Sequence, residues 1–461
     1  MKIRLIFLII IILTLPLMIF ISQQIQQLLS RAAEEPANII IDTQNIIGPL
    51  EKSWASFSQG GEEPPPMLTN TVVLMRKLFP KYVRLDHIYD YYNVVKKNEN
   101  NLSYDFSQLD KTVDDILAMG ALPFFCLSYM PSSFTLSGKV IDAPINWNDW
   151  KDLVKTTIER YSGKNGKNLN NIYYEVWNEP ELPQFGQWKL SSEKDYRLLY
   201  FYSSSAAKEA QNVNNFYLGG PSVGSYYPDW IKNLLSYISQ NNLRFDFYSW
   251  HRYSKNPDSY ASDAQEIRKL LSAYPSYANI PLILTEWGIE SENMPINSSN
   301  TSAAYTVAAI SKFHKNINLA FTFEIKDGPP PTGGTWGIIT HEKDKEPLKA
   351  KPRYKAFTAL NNLDGSEIAL TGEGTFVKAF GAKTKDGSIK VIIANYDFSN
   401  SKIENVPVTF INLPSASYKL GYSHPLDSSM GEYDLTTDNG MIFKSFLMPA
   451  NSILLLELFK K

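Results

Sequence analysis

Cysteine is nearly missing from this chain. Cys126 stands alone among 461 residues, so no disulfide joins two parts of the chain and no cysteine-based metal cage can form. It lies in the apolar run Pro123-Phe-Phe-Cys-Leu127 and reads as a core residue. Histidine is also scarce, at five residues, and no His/Cys/Asp cluster has metal-ligand spacing, so neither a metal nor a cofactor is expected. Net charge is close to nil, at −2, with no basic stripe, which leaves no electrostatic footprint for nucleic acid. No Gly-rich phosphate turn follows a strand-like run, which weakens the case for a doubly wound nucleotide-binding sheet.

What the chain does have is apolar and aromatic. Hydrophobic residues make up 44% and aromatics 13%, enough at this length for a large core and for two or three domains. Stacking on sugar faces and core packing both use aromatics, so their number alone does not choose between them. The one long apolar run is at the start. Lys2 and Arg4 precede the uncharged stretch Leu5–Ile21, followed by Ser22-Gln-Gln. At 17 residues this run is at the short limit for crossing a bilayer. It reads as a secretory signal or a single uncleaved membrane anchor within residues 1–35, and either one carries the body out of the cytoplasm. Asn297-Ser-Ser and Asn300-Thr-Ser match glycosylation sequons, which arise by chance in an Asn-rich chain.

From residue 51 to 363 strand-like runs alternate with helical periodicity. Trp54–Ser58, Tyr82–Asp86, Pro123–Ser128, Ile172–Trp177, Phe216–Gly220, Phe245–His251, Pro281–Gly288 and Leu319–Ile325 read as strands. Between them lie amphipathic stretches such as Trp147–Tyr161, with Trp150, Leu153, Val154, Thr157, Ile158 and Tyr161 on one face. A further helix is expected over Met67–Phe79. Eight βα units imply right-handed parallel crossovers closing into a (β/α)8 TIM barrel of the α/β class. From 364 to 461 the pattern becomes six short alternating strands between Asn, Gly, Ser and Pro, an antiparallel β-sandwich.

Two strand-like runs end on carboxylates. In Asn171-Ile-Tyr-Tyr-Glu-Val-Trp-Asn-Glu-Pro-Glu181, Pro180 stops the ladder at Asn178-Glu179. In Pro281-Leu-Ile-Leu-Thr-Glu-Trp-Gly288, the run stops on Glu286. Two carboxyl groups on two strand ends are what retaining glycoside hydrolysis requires: one protonates the leaving oxygen and later activates water, and the other attacks the anomeric carbon.

Asn-Glu-Pro on the fourth strand and Thr-Glu-Trp on the seventh resemble the acid/base and nucleophile strands of the clan A (β/α)8 glycoside hydrolases. The phrase order is most similar to glycoside hydrolase family 39, the β-xylosidase and α-L-iduronidase family. Its carriers are Tyr82-Val-Arg84, Asp105-Phe-Ser-Gln-Leu-Asp110, Met130-Pro131, Gly219-Gly-Pro221, Asp246-Phe-Tyr-Ser-Trp-His251 and Lys351-Pro-Arg-Tyr-Lys-Ala-Phe357. The resemblance runs from about Ile39 to the end. It implies that residues 36–50 carry an N-terminal strand joining the sandwich.

The resemblance further implies Glu179 as acid/base and Glu286 as nucleophile. Arg84 and Tyr253 would donate to Glu286, and Asn178 would bind the sugar 2-hydroxyl. His87 and His251 would bind sugar hydroxyls, and Trp287 or Trp336 would supply a stacking face. Glu181, Glu290, Glu324 and Asp327 are left as spare carboxylates. Two phrases depart from the family. Phe321-Thr-Phe323 stands where Trp-Thr-Phe is usual, and Leu85-Asp86-His87 where a His-Gly pair is commoner. Both lie near the subsite for the cleaved sugar, so its identity stays open.

The expected partner is an oligosaccharide or polysaccharide. An exo-enzyme would have its pocket closed by the loops Glu62–Pro66, Ser132–Pro144 and Lys326–Pro347, and an endo-acting glycanase would show an open groove. A catalytically inactive carbohydrate-binding envelope protein is the rival from another class, against which the presence of Asn178, Glu179 and Glu286 argues.

Overall fold

The computed structural model describes residues 34–61, 63–98, 101–342 and 347–461. The apolar N-terminal run, and with it the expected signal or anchor, lies outside the described residues. Among the described residues no helix is long and apolar enough to cross a membrane.

Eight strands, taken here as first to eighth, close into a barrel: Ser56–Gln59, Tyr82–Leu85, Leu122–Leu127, Ile172–Val176, Phe216–Val223, Phe247–Tyr253, Leu282–Gly288 and Leu319–Phe323. Every neighbouring pair is parallel, and Phe321 opposite Ser56 closes the ring. Strands buried on both faces must be apolar nearly throughout, as the wholly buried Leu282–Gly288 shows. The inward side chains alternate with those facing the helices. Towards the strand starts, Phe124, Phe247, Ile283, Leu319 and Phe321 fill the interior. The barrel is therefore plugged at that end, and polar side chains are left to the other.

Helices cover the outside. Trp147–Tyr161 is capped by the Asn146 side chain, which accepts from Asn148 N, and it buries the six residues of its predicted stripe. Ser107–Met119 ends at Gly120, whose φ of 89° is the left-handed turn that glycine accommodates. The helix predicted over Met67–Phe79 is shorter, a 3-10 turn at Thr69–Thr71 followed by Val72–Arg76. A β-branched Thr-Asn-Thr-Val-Val start and the approach to Pro80 both disfavour a longer helix.

Val95–Asn98 and Asn101–Tyr104 pair antiparallel by themselves, and the other strands form one nine-stranded sheet. Its order is Ser429–Thr437, Ala416–His424, Ser452–Lys460, Ile389–Asn395, Val377–Lys383, Ser366–Thr371, Ile39–Pro49, Glu404–Ile411 and Ile442–Met448. Its two end strands meet, so the sheet folds over a core that includes Ile39, Ile41, Val391, Ile393, Val408 and Leu456. The ladder is antiparallel except where Ile39–Pro49 runs parallel to Glu404–Ile411, so "antiparallel sandwich" holds for most of it. Ser366–Thr371 and the polar edge strand Ser429–Thr437 join the six strands expected there.

Helix Asn300–Phe313 lies between barrel and sheet and is buried on nearly every side. Tyr305 packs on Tyr396 of the sheet at 5.3 Å, and the Tyr396 hydroxyl donates to Lys255 O at 2.8 Å on the barrel.

Candidate active site

Polar side chains gather at the C-terminal ends of the strands. Arg84, inward on the second strand and 1% exposed, is their hub. Its Nε donates to Glu175 Oε2 at 2.7 Å and its Nη1 to Glu286 Oε1 at 2.9 Å. Its Nη2 donates to Asn178 Oδ1 at 2.8 Å and to Ser222 Oγ at 3.2 Å. A buried guanidinium is tolerable because two carboxylates and two neutral acceptors take up its donors. Asn178 is fixed from both ends, since its Nδ2 donates to the Tyr129 hydroxyl at 2.9 Å.

The fourth strand ends in a sharp turn. Trp177 and Glu179 both have positive φ, 72° and 40°, a conformation that costs a non-glycine residue about 1–3 kcal/mol. Surrounding contacts hold it: Glu179 N donates to Ser222 O at 2.9 Å, and Trp177 Nε1 donates to Phe185 O at 2.8 Å. The turn leaves the Glu179 carboxyl beside His251, Nδ1 to Oε1 at 3.0 Å.

Glu286 receives a second hydrogen bond, from the Tyr253 hydroxyl to Oε2 at 2.8 Å. One oxygen of Glu179, one of Glu286 and a ring nitrogen of His251 all lie within 4.8 Å of one another. Burial, with a contribution from Asp86 and against the pull of Arg84, pushes the Glu179 carboxyl up to about 7. Burial also raises Glu286, while His251 and Arg84 oppose it. Arg84 and Tyr253 both donate to Glu286 and neither bonds Glu179, so these bonds favour the ionised form of Glu286 over that of Glu179. Burial depresses His251 to about 4, which keeps its ring neutral near pH 7.

A cleft of about 600 Å³ opens over these groups. Asp86, His87, Asn178, Glu179, Tyr253 and Glu286 form its floor, and Phe185, Phe323 and Trp336 are among its walls. Phe323 and Trp336 meet edge to face at 5.9 Å. Arg353 holds both through their carbonyls, donating to Phe323 O at 3.0 Å and Trp336 O at 2.9 Å. The family model for glycosyl hydrolases family 39 matches residues 41–421.

The chain belongs to this family. As a family 39 glycosidase it acts on oligosaccharides or polysaccharides. It is 24% identical over 368 residues to a β-xylosidase of Geobacillus stearothermophilus, covering 71% of this chain and 70% of that protein. The α-L-iduronidase of Homo sapiens is 24% identical over 329 residues, covering 63% of this chain and 48% of its own length. A solved structure of a monomeric β-xylosidase from Caulobacter crescentus has a TM-score of 0.76 at 20% identity, covering 92% of this chain and 99% of that one. This likeness concerns the fold.

Two of the residues expected to touch sugar are elsewhere in this family 39 chain. Trp287 is fully buried and packs edge to face on Phe313 at 5.1 Å and Tyr260 at 5.9 Å. Glu286 points into the barrel, so its strand neighbour must point out to the helices. His251 is also fully buried, under the two glutamates, and its polar contacts are carboxylates and Ser222 Oγ at 2.9 Å. It supports Glu179 from beneath and does not face a sugar. His87 and Trp336 both line the cleft.

Sequence reasoning missed Tyr129, Ser222 and Glu175. Ser222 follows Gly219-Gly-Pro221 and Glu175 precedes Val-Trp-Asn-Glu, so their neighbourhood was marked even though their chemistry was not. Among the described residues none of Ser132–Pro144 lines the cleft. That loop instead braces the chain behind Phe185, where Lys194 Nζ meets Asp142 at 3.0 Å. Asn297 of the first sequon is 1% exposed, and its Nδ2 donates to Glu292 O at 2.9 Å, so it is not a glycosylation acceptor in the folded chain.

Among the described residues two carboxylate–histidine trios are close enough to hold an ion, Glu179–His251–Glu286 and Glu63–His341–Glu342. Each already has a side-chain cation. Arg84 serves the first, and Lys326 bonds Glu63 and, at 3.1 Å, Glu342 in the second.

Proposed function

We propose that the chain is a retaining exo-glycosidase of the β-xylosidase kind, with Glu179 as acid/base and Glu286 as nucleophile. The pairing of the two carboxylates over one cleft carries this reading: one oxygen of each lies within 4.8 Å of the other, which supports the close pair that retaining enzymes use. Glu286 attacks the anomeric carbon while Glu179 gives its proton to the departing oxygen. The bond to the leaving group breaks and a glycosyl ester on Glu286 forms. Glu179, now ionised, takes a proton from water, whose oxygen displaces Glu286 and restores both groups.

The surrounding residues serve these two steps. Arg84 and Tyr253 hold Glu286 ionised and aimed. Asn178, held by Arg84 and Tyr129, is poised for the 2-hydroxyl, a contact that strengthens as positive charge develops on the ring. When Glu179 is ionised, His251 Nδ1 must carry a proton to face it. Ser222 accepts from Arg84 and its own proton then serves His251 Nε2, the tautomer required. The aromatic walls at Phe185, Phe323 and Trp336 support a pocket for a chain end. The apolar run Leu5–Ile21 supports work outside the cytoplasmic membrane, secreted or anchored.

Release of 4-nitrophenol from aryl β-xylosides and related glycosides by the full chain tests the proposal. Activity should vanish in Glu286→Ala and return in part with azide. An equal rate in the variant would refute the nucleophile assignment.

A further inference from the structure

Among the described residues none donates a hydrogen bond to the carboxylate of Asp86 on the cleft floor, whereas Glu179 and Glu286 are both met. Asp86 is 7% exposed and lines the cleft with Asn178, Glu179 and Glu286. Its Oδ1 is buried without a hydrogen-bond partner. Of the nearby donors, Arg84 and His87 Nδ1 are committed elsewhere, and the Tyr129 hydroxyl, which accepts from Asn178, gives Asp86 Oδ1 no hydrogen bond. Arg84 is used by Glu175, Glu286, Asn178 and Ser222, and His87 Nδ1 pairs with Asp90 Oδ2 at 2.8 Å. An ionised carboxylate only accepts, so what completes Asp86 must donate. Leaving such an oxygen buried and unmet is costly, and a ligand in the cleft that donates to it would remove that cost.

Asp86 is also held in place. His87 turns the backbone out of the strand with φ 53°, and its N donates to Ser128 Oγ at 3.3 Å. The His87 ring packs on Tyr129 at 4.4 Å and against Gly61, where a Cβ would stand 2.7 Å from it. Asp86 therefore presents a fixed acceptor to the cleft, just past the end of the strand that carries Arg84.

The charge of the cleft restricts what can enter. Among the described residues that line it, Asp86, Glu179, Glu286 and Glu292 are acidic and none is Lys or Arg. His87 alone can become cationic, and it already stands against Asp90 and Asp86. A sugar carboxylate placed here would meet like charge with no free cation to pair it, whereas hydroxyls would supply the missing donors.

We propose that Asp86 recognises the cleaved sugar through its hydroxyls, and that this sugar is neutral and not a uronate. The inference rests on the glycosidase reading of the site and narrows its substrate class to one side of the β-xylosidase and α-L-iduronidase divide.

The test offers the full chain aryl β-xylosides, β-glucosides and α-L-arabinosides beside aryl β-glucuronides and α-L-iduronides. Uronides should be slower in kcat/KM by about 10³-fold. For the best neutral substrate, its 3-deoxy and 4-deoxy analogues are then compared in the wild type and in Asp86→Ala. At least one deoxy analogue should lose about 10-fold or more in the wild type and nothing further in the variant, because the hydroxyl's partner is gone. A purely structural Asp86 would leave the deoxy penalty unchanged, and that result overturns the proposal. So does turnover of uronides at the neutral-sugar rate.

Failure of every glycoside would overturn the glycosidase reading instead. Melting of the full chain with free xylose, glucose, arabinose or glucuronate would then decide the recognition claim. A rise with neutral sugars that is lost in Asp86→Ala supports it. No rise, or a rise with glucuronate alone, overturns it.

Discussion

Arg84 Nη1 donates to Glu286 Oε1 at 2.9 Å, with the guanidinium 1% and the carboxylate 9% exposed. The same guanidinium reaches Glu179 indirectly, through Ser222 and His251. One cation thus biases both carboxyl groups, keeping one ionised and setting the imidazole that faces the other.

Replacing Arg84 by methionine strands Glu175 and Glu286 as buried charges without a counterion. Urea unfolding should show a loss of about 3–5 kcal/mol, and kcat should fall to near background. Arg84→Lys should recover part of the stability but little activity, because an ammonium cannot make the same four bonds.

The pH dependence follows from Glu179. Its ordinary value is 4.5 and burial carries it to about 7 in the folded chain. Between those values the folded chain holds a proton that the unfolded chain has released. Its contribution to stability is therefore complete below about 4.5, declines as pH rises to about 7, and is flat beyond. With Glu179 as the proposed acid, activity requires this proton, and kcat/KM should fall above about pH 7. Glu181, also raised to about 7 by burial, titrates in the same range. Glu179→Gln, assayed on a 2,4-dinitrophenyl glycoside whose departure needs no acid, should lose the alkaline limb. A limb that persists there would belong to another group.

Ser222→Ala removes the link between Arg84 and His251 while leaving the ring buried. We expect kcat to fall about 10-fold with KM little changed. A KM effect alone would place Ser222 in substrate binding instead.

Gly224 faces Glu179, the proposed acid/base. A Cβ there would lie 2.9 Å from Glu179 Oε1 and 3.1 Å from Glu181 Oε1. Gly224→Ala should push Glu179 off line and reduce kcat about 10²-fold, with circular dichroism unchanged. Full activity would show that the turn can yield without moving the carboxyl.

Much of this architecture was legible because its signals are periodic. Apolar runs such as Leu282-Ile-Leu and the stripe of Trp147–Tyr161 announce strand and helix whatever surrounds them. Ser429–Thr437 carries no such signal: it is a mostly exposed edge strand, held by pairing with Ala416–His424. The carboxylates on strand ends were readable from Pro180 and Gly288. Trp287 was misread although alternation from an inward Glu286 already directs it outward. Ser222, Tyr129 and the depth of His251 were hidden, since they depend on which side chains meet across the barrel. No single strand encodes that meeting.

The most direct measurement is peptide mass spectrometry of the full chain after reaction with a 2,4-dinitrophenyl 2-deoxy-2-fluoroglycoside of its preferred sugar. The fluorine slows the second displacement and lets the glycosyl ester accumulate. We predict one added glycosyl group, on the peptide carrying Glu286, with Glu179 unlabelled. A label on Glu179, or turnover with no covalent adduct at any time point, would contradict the assignment of Glu286 as nucleophile.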